Sequence, residues 1–231
     1  MLEIAITVEI DMETKTNCIV NLSGGFECLA ALWYAKKRGW NPVALALFNP
    51  EAKKFAVQEL HAAKIQADYF NVELIVDEST IPQESNVNNY PVLQHQSAVA
   101  QLIQGNPNIK FEYIIWGANA DDSFRQRLQL RYPFRAMMAG RSRTLDLHGL
   151  QIHDFMPCPM NLFPFEWMTK SEMVSLIRKA DEKLLDLVFS CNNPKGNEMC
   201  GECTKCQEWK YSKHVAWKSQ FKQQEGFLPK F

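Results

Sequence analysis

The sequence predicts a doubly wound α/β fold with a mostly parallel sheet, followed by a small C-terminal metal-binding lobe. Two short apolar runs, at residues 18–22 and 43–48, have the composition of strands buried on both faces of a parallel sheet. Amphipathic segments at 29–38 and 51–67 follow these runs, and such strand–helix alternation favours helices on both faces of the sheet. Four cysteines near the C-terminus predict the lobe.

The first half of the chain is divided by turn residues. Residues 4–10 alternate apolar and polar side chains, which predicts a strand of an N-terminal hairpin. Ser23-Gly24-Gly25 ends the first buried strand, and Gly39 ends the helix that follows. A third strand is predicted at 69–76, after the second helix.

The second half has fewer but clear signals. A helix is predicted at 92–104 and a buried strand at 113–116, which ends at Gly117. Three prolines favour an extended connection: Pro157, Pro159 and Pro164. Thr169 and Glu172 have the spacing of a capping box for a helix that runs to Ala180, and a final basic helix is predicted at 208–224. We expect two units, an α/β domain with the hairpin over 1–180 and the lobe with its helix over 181–231.

Composition excludes several classes of protein. The chain has 231 residues, of which 46% are hydrophobic and 22% charged, as in ordinary globular proteins. Its 25 basic and 26 acidic residues give a net charge of -1, so no nucleic-acid partner is expected. The N-terminus lacks the pattern of a signal peptide, and no apolar run reaches the ~20 residues of a membrane helix. We therefore expect a cytoplasmic protein without a membrane partner.

The cysteines that predict the lobe are spaced C-x8-C-x2-C-x2-C, at Cys191, Cys200, Cys203 and Cys206. Four thiolates on one short segment match the closed tetrahedral ligand set of a structural zinc ion. Gly196 and Gly201 allow the tight turns that direct the sulfurs inward. Two disulfides or four unrelated thiols are the alternatives, and cytosolic chains rarely keep disulfides.

A second chemical signal is the turn Ser23-Gly24-Gly25 between a buried strand and a helix. Two glycines let backbone N–H groups approach an anion, and the helix N-terminus adds its positive dipole end. An ordinary glycine turn is the alternative. The chain lacks both the G-x-x-x-x-G-K-[ST] and the G-x-G-x-x-G patterns. Asp121 and Asp122 follow another strand end, where ligands collect in such sheets, although a solvated helix start would look the same.

The run V-N-L-S-G-G-F-E-C at residues 20–28 resembles the S-G-G-x-D-S loop of the N-type ATP pyrophosphatases, the PP-loop superfamily. The cysteine spacing resembles one branch of that superfamily, the 7-cyano-7-deazaguanine synthases of queuosine biosynthesis. Residues 117–124 and the S-C-N-N run at 190–193 are also similar to segments of that family. The chain is therefore identified as a divergent member.

This resemblance implies an adenine nucleotide alpha hydrolase-like fold and a ligase that uses ATP with Mg2+. ATP would activate 7-carboxy-7-deazaguanine as an acyl-adenylate, ammonia would give the amide, and a second activation would give the nitrile. Homodimers are common in the family, so a homodimer is possible here. The resemblance assigns pyrophosphate binding to the loop, adenine contact to the second strand, Mg2+ to Glu27 and substrate lining to the acidic pair. The residues implied at the loop are Ser23, Gly24, Gly25, Phe26, Glu27 and Cys28. Phe48 is implied at the end of the second strand, and the acidic pair is Asp121 and Asp122.

The sequence departs from the family pattern at the loop. Glu27 replaces an aspartate, and Cys28 replaces a serine. Cys28 is either a reactive thiol, because a helix N-terminus lowers thiol pKa, or a packed small side chain. Residues 91–96 read P-V-L-Q-H-Q and lack the arginine that the family places there.

Three functions remain open at this stage. The chain is a divergent 7-cyano-7-deazaguanine synthase, a PP-loop protein that has another acyl target or has lost catalysis, or a zinc-stabilised module that binds tRNA or a protein. The last would use a cationic helix face formed by Lys205, Lys210, Lys213, Lys218 and Lys222.

Overall fold

The computed structural model describes residues 15–50, 55–78, 90–121 and 159–219, with residues 90–97 and 217–219 described as backbone only. Within these ranges five strands form one sheet in the order β3-β2-β1-β4-β5, and helices connect them. The elements are β1 (Asn17–Asn21), α1 (Phe26–Lys37), β2 (Asn41–Leu47), α2 (Ala56–Phe70), β3 (Leu74–Asp77), α3 (Tyr90–Gly105), β4 (Phe111–Ile115), β5 (Met160–Leu162), α4 (Lys170–Ala180), a 3₁₀ helix (Glu182–Leu187) and α5 (Thr204–Ser219).

All described strand pairs are parallel, which confirms the predicted doubly wound α/β class. β1 lies between β2 and β4, so the strand order reverses its direction there. Ligands of open α/β sheets bind outside the carboxyl ends of the strands at such a switch point. The connections that follow β1 and β4 are therefore the ones that the fold places at its crevice.

Helices cover both faces of the sheet. On one face, Cys18, Val20 and Leu22 of the first strand and its extension pack with small residues of α1 and α2, such as Ala31 and Ala63. On the other face, alternate residues of the same strands, such as Ile19 and Leu45, pack against α3. Both faces of β1 are thus buried, which explains its uninterrupted apolar sequence.

A separate apolar cluster joins α1 to the C-terminal part of the chain. Phe26 of α1 lies 5.1 Å from Trp209 of α5, measured between ring centroids. Met173 and Ile177 of α4 and Leu184 of the 3₁₀ helix belong to the same cluster. The C-terminal helix therefore packs directly on the helix that follows the glycine turn. The boundary at residues 180/181 stays a prediction.

Most predicted elements are present with shifted ends. The capping box of Thr169 and Glu172 is confirmed, because the Glu172 backbone N–H donates to Thr169 Oγ1 and the Thr169 N–H donates to Glu172 Oε2. α1 begins at Phe26 instead of residue 29, and β3 begins at Leu74, since α2 continues through residue 70. The expected extended connection before α4 contains the short strand β5. The predicted strand at 4–10 and residues 220–224 of the final helix lie outside the described residues.

No helix in the described ranges combines the length and the apolar character that a membrane crossing requires.

Candidate functional site

The turn Ser23-Gly24-Gly25 joins β1 to α1 at the carboxyl edge of the sheet. Gly25 is the N-cap residue of α1, and no side chain caps this end of the helix. The first N–H groups of an α-helix have no intrahelical partner and form a common anion-binding site. The turn therefore presents uncapped donors at the crevice of the sheet.

Gly24 is required by the fold itself. Its φ of 75° lies in the left-handed region, which residues with a side chain rarely adopt. A Cβ atom at this position would lie 2.6 Å from the Glu59 carbonyl oxygen and 2.7 Å from Ala62 Cβ, both on α2. This glycine lets the turn contact α2, and its presence needs no ligand.

Gly25 differs from Gly24 both in its φ angle and in the space available for a Cβ atom. Its φ is -74°, which any residue adopts. A Cβ atom here would meet Ser23 Oγ at 3.6 Å and Glu27 Oε2 at 3.7 Å, which are ordinary contacts. The fold thus has room for a side chain at Gly25 and does not use it. A glycine of this kind is expected where another molecule approaches the backbone closely.

Gly117, which follows β4, lies against the backbone of the first turn of α1. A Cβ atom on Gly117 would be only 2.1 Å from the Glu27 carbonyl oxygen. The loops after β1 and β4 are therefore in direct contact, as the switch point of the sheet predicts.

The ion pair between Lys170 and Glu27 was not predicted from the sequence. Lys170 is the first residue of α4 and is buried, with 8% of its surface exposed, yet its Nζ lies 2.5 Å from Glu27 Oε1. A buried lysine needs a charge partner, and here the partner comes from the first turn of α1. The capping box at Thr169 had fixed where α4 begins, but it could not indicate what Lys170 contacts.

Asp121 has a structural role in this arrangement. Its Oδ2 accepts a hydrogen bond from the Lys170 backbone N–H at 2.7 Å, so it helps to cap α4. Its own N–H donates to Asn119 Oδ1 at 2.8 Å. Asp121 therefore lies beside Lys170, and its role toward a substrate stays a prediction. Asp122 lies outside the described residues.

The two phenylalanines of the hypothesis occupy different environments. The side chain of Phe26 is 1% exposed and lies in the core, so only its backbone N–H can serve a ligand. Phe48 follows β2 at the same edge of the sheet and is partly buried, and its N–H donates to the Asp77 carbonyl oxygen at 2.9 Å. Phe48 thus lies at the strand end next to the turn, where the sequence hypothesis places adenine.

Cys28 packs within the loop. Its Sγ lies 3.3 Å from Ser23 Oγ, so the two side chains close the turn with a hydrogen bond. Burial raises the pKa of the Cys28 thiol above its usual value, and the hydrogen bond from Ser23 only partly opposes this. The environment favours the packed-thiol interpretation over a reactive thiolate.

The four C-terminal cysteines converge as predicted. Their sulfur atoms all lie within 4.8 Å of one another, and three of the separations are 3.5, 3.9 and 3.9 Å. Four sulfurs bound tetrahedrally at a zinc–sulfur distance of ~2.3 Å would be about 3.8 Å apart. The donor set and its spacing therefore fit zinc, with Cys191, Cys200, Cys203 and Cys206 as the ligands that would hold it.

Backbone donors surround these sulfurs. The N–H groups of Asn192, Asn193 and Cys200 each donate to a cysteine sulfur at 3.3 Å. The Asn192 N–H is the main cause that lowers the pKa of Cys203 to about 6, whereas burial raises the pKa of Cys206 to about 12. A divalent cation would hold all four sulfurs as thiolates, and it would leave no open coordination position for catalysis.

The basic face of α5 is partly used inside the protein. Lys210 Nζ donates to the Gly201 carbonyl oxygen at 2.7 Å, and Lys213 Nζ lies 5.2 Å from the centre of the Trp209 ring. Lys205 Nζ lies 3.9 Å from Glu208 Oε2. The Lys210 bond ties the helix to the turn between the cysteines, and the other two contacts lie within α5. These three lysines are thus partly engaged inside the protein, which weakens the hypothesis of a nucleic-acid-binding face.

Comparison with known proteins gives similarity of fold only. No family model and no curated protein matches the sequence. A 4-thiouridine synthetase, solved in complex with RNA and with bound ATP, is 14% identical with a TM-score of 0.46, over 90% of this chain and 53% of that one. This chain thus spans about half of that protein's length. NMN synthetase from Francisella tularensis is 16% identical with a TM-score of 0.32, over 95% and 91% of the two chains. The function is therefore argued from the site itself.

Proposed function

We propose that this protein is an ATP-dependent ligase that binds the phosphates of ATP at Ser23-Gly24-Gly25 and activates a carboxylate as an acyl-adenylate. The observation that carries the proposal is the contrast between the two glycines. Gly24 is needed by the fold, whereas the fold leaves room for a Cβ atom at Gly25, beside N–H groups that no side chain caps. Backbone donors that a phosphate can approach without meeting a side chain are the chemical requirement of such a loop.

The charges around the turn support an anionic ligand. The buried ammonium group of Lys170 lies at the first turn of α1, where the helix dipole is also positive. Glu27 is the acidic partner at this place. A triphosphate that displaced the Glu27 carboxylate from Lys170 would take over the pairing, and the released carboxylate could then serve Mg2+. Charge-assisted hydrogen bonds of this kind stabilise a complex by about 1.5–3 kcal/mol each.

For the substrate we propose 7-carboxy-7-deazaguanine, with ammonia as the nitrogen donor and the nitrile as the product. The support is the resemblance of residues 20–28 and of the cysteine spacing to that family. The four sulfurs also lie close enough together to hold one metal ion. In this proposal a zinc ion in the cysteine cluster holds the C-terminal lobe on α1 and takes no part in the chemistry. The acidic pair Asp121 and Asp122 would border the acyl substrate, with Asp121 held in place by α4.

The first experiment tests ATP binding by calorimetry. The wild-type protein is expected to bind Mg-ATP with measurable heat and to unfold at a higher temperature in its presence. Lys170→Met removes the charge and keeps an unbranched side chain, so affinity should fall about 10- to 100-fold, which corresponds to one charged hydrogen bond. Lys179→Met changes an exposed lysine of the same helix and serves as the matched control. Equal affinities of the two variants would remove Lys170 from the site.

The second experiment identifies the reaction. The protein is incubated with 7-carboxy-7-deazaguanine, ammonium and Mg-ATP, and products are measured by mass spectrometry. The nitrile supports the complete proposal. An amide that accumulates indicates an enzyme that stops after one activation, and AMP without either product indicates another acyl acceptor. Absence of AMP and of both products, together with no heat on ATP titration, would refute a ligase.

A further inference from the structure

The carbonyl oxygen of Gly24 accepts two hydrogen bonds from distant parts of the chain. Gln66 of α2 donates through Nε2 at 2.8 Å, and the backbone N–H of Phe189 donates at 2.9 Å. Phe189 lies two residues before Cys191 and belongs to the same apolar cluster as that cysteine. The turn is therefore held from behind by α2 and by the segment that leads into the cysteine lobe.

These two bonds determine where the next N–H group points. A peptide unit is planar, and in the trans form its C=O and N–H bonds point in opposite directions. No peptide bond between described residues is cis. Because the Gly24 carbonyl is fixed toward Gln66 and Phe189, the N–H of Gly25 is directed away from them. Gly25 carries no side chain although the fold has room for a Cβ atom there, so its N–H is the donor that a phosphate would meet.

The contacts of Gln66 fix the orientation of its side-chain amide. Its side chain is completely buried, and its amide nitrogen donates a second hydrogen bond to the Leu187 carbonyl oxygen at 2.9 Å. Two carbonyl acceptors require the NH2 group at this position, which fixes the orientation of the amide. Among the described residues its Oε1 has no partner. The amide therefore serves the two carbonyl acceptors at the cost of one unpaired oxygen, and one of these acceptors belongs to the glycine turn.

We infer that Gln66 is a positioning residue for anion binding, which holds the Gly24–Gly25 peptide in the orientation that presents the Gly25 N–H to a phosphate. The inference rests on the proposed function. Gln66 also bonds Leu187, and the nearby Phe189 N–H bonds the same Gly24 carbonyl oxygen. The orientation of this peptide is therefore linked to the segment that enters the cysteine lobe. None of these groups touches the anion.

The test compares Gln66→Met with Gln58→Met. Gln58 is the matched control because it also lies on α2 and also donates to the C-terminal segment, at the Gly196 carbonyl oxygen, but it does not contact the turn. Inorganic pyrophosphate and Mg-ATP are titrated calorimetrically, and the Gly25 amide signal is followed by 15N NMR without ligand. Gln66→Met should weaken binding at least about tenfold and shift the Gly25 signal, whereas Gln58→Met should change neither.

The outcomes separate positioning from stability. A lower unfolding temperature of Gln66→Met with unchanged affinity and an unchanged Gly25 signal would overturn the inference. If the wild-type protein binds neither probe, the proposed function fails, and the Gly25 signal alone decides whether Gln66 orients the peptide. If Gln66→Met does not fold, Gln66→Leu replaces it, since leucine is also apolar and has no N–H group to donate. The same loss of affinity is then expected.

Discussion

If the turn binds an anion, alanine at Gly24 should lower stability, whereas alanine at Gly25 should lower the affinity for the anion. The prediction concerns stability for Gly24→Ala and affinity for Gly25→Ala. Both residues have the same identity and adjacent positions, so each variant is the control for the other. The two changes add the same single methyl group, and only its surroundings differ.

For Gly24→Ala the magnitude follows from two structural terms. A left-handed conformation costs an alanine roughly 1–2 kcal/mol. The contacts of 2.6 and 2.7 Å with Glu59 and Ala62 require overpacking, which typically costs another ~1–3 kcal/mol. We expect the free energy of unfolding to fall by about 2–5 kcal/mol. In a chain of this length each kcal/mol lowers the unfolding temperature by about 2–4 °C, so a decrease of roughly 10 °C is expected.

For Gly25→Ala the corresponding terms nearly cancel. Alanine is a poorer N-cap residue than glycine, which lowers the free energy of unfolding by about 0.5–1 kcal/mol. Alanine also reduces the entropy of the unfolded chain, which raises the free energy of unfolding by about 0.4–1 kcal/mol. The unfolding temperature should therefore remain within about 2 °C of the wild-type value. The new methyl group would lie in ordinary contact with Ser23 Oγ and Glu27 Oε2, beside the N–H groups. It would hinder the approach of a phosphate, so affinity for pyrophosphate and for Mg-ATP should fall at least about tenfold.

The assay combines thermal unfolding without ligand and calorimetric titration at a temperature well below the transition. If Gly25→Ala bound pyrophosphate as tightly as the wild-type protein, the turn would be only a structural turn. If it were as unstable as Gly24→Ala, the space assigned to Gly25 would not exist. Either result would refute the reasoning on which the proposed function rests.

Two further predictions concern the cysteines. Burial raises the pKa of Cys18 from 9.0 to about 12, so above pH 9 the unfolded state loses a proton that the folded state keeps, and stability falls as pH rises. Between about pH 9 and pH 10 the free energy of unfolding of the wild-type protein should fall by about 1 kcal/mol relative to that of Cys18→Val. Urea unfolding at each pH measures this difference. The same pH dependence of stability in both proteins would contradict the raised pKa. Cys200→Ser should lower zinc content and unfolding temperature, whereas Cys28→Ser, outside the cluster, should keep stoichiometric zinc by metal analysis; full zinc in both variants would contradict the metal site.

The parts of the fold that the sequence predicts are those determined by local pattern. The capping box at Thr169, the apolar runs of the inner strands and the cysteine spacing each involve residues that are close in the chain. Helix ends were less accurate: α1 begins at Phe26, three residues before the predicted start, and the Phe26 side chain packs on Trp209 from a distant part of the chain. The short strand β5 has three residues at the edge of the sheet, too few for a periodic signal.

The site depends on contacts that no local pattern shows. Gly24 and Gly25 are the same residue type, and they differ in their φ angles and in the contact of Gly24 with α2. Asp121 was expected to line the substrate, and the structure adds a bond to the start of α4 that reflects the approach of two distant segments. Lys170 and Glu27 come together for the same reason. The sequence therefore indicated the turn, Glu27 and Asp121, but it did not indicate Lys170 or the contacts among these charges.

The replacement of aspartate by Glu27 leads to a prediction whose sign depends on the metal. The extra methylene lets the carboxylate reach Lys170, so without ligand Glu27 occupies the cation that a phosphate needs. Glu27→Gln should therefore bind metal-free pyrophosphate more tightly, because the competing charge is gone, and Mg-ATP more weakly, because a metal ligand is gone. Glu59→Gln, on the neighbouring helix, is the control. Titrations with and without Mg2+ decide the question: a change of the same sign in both would mean that Glu27 acts only as the structural partner of Lys170.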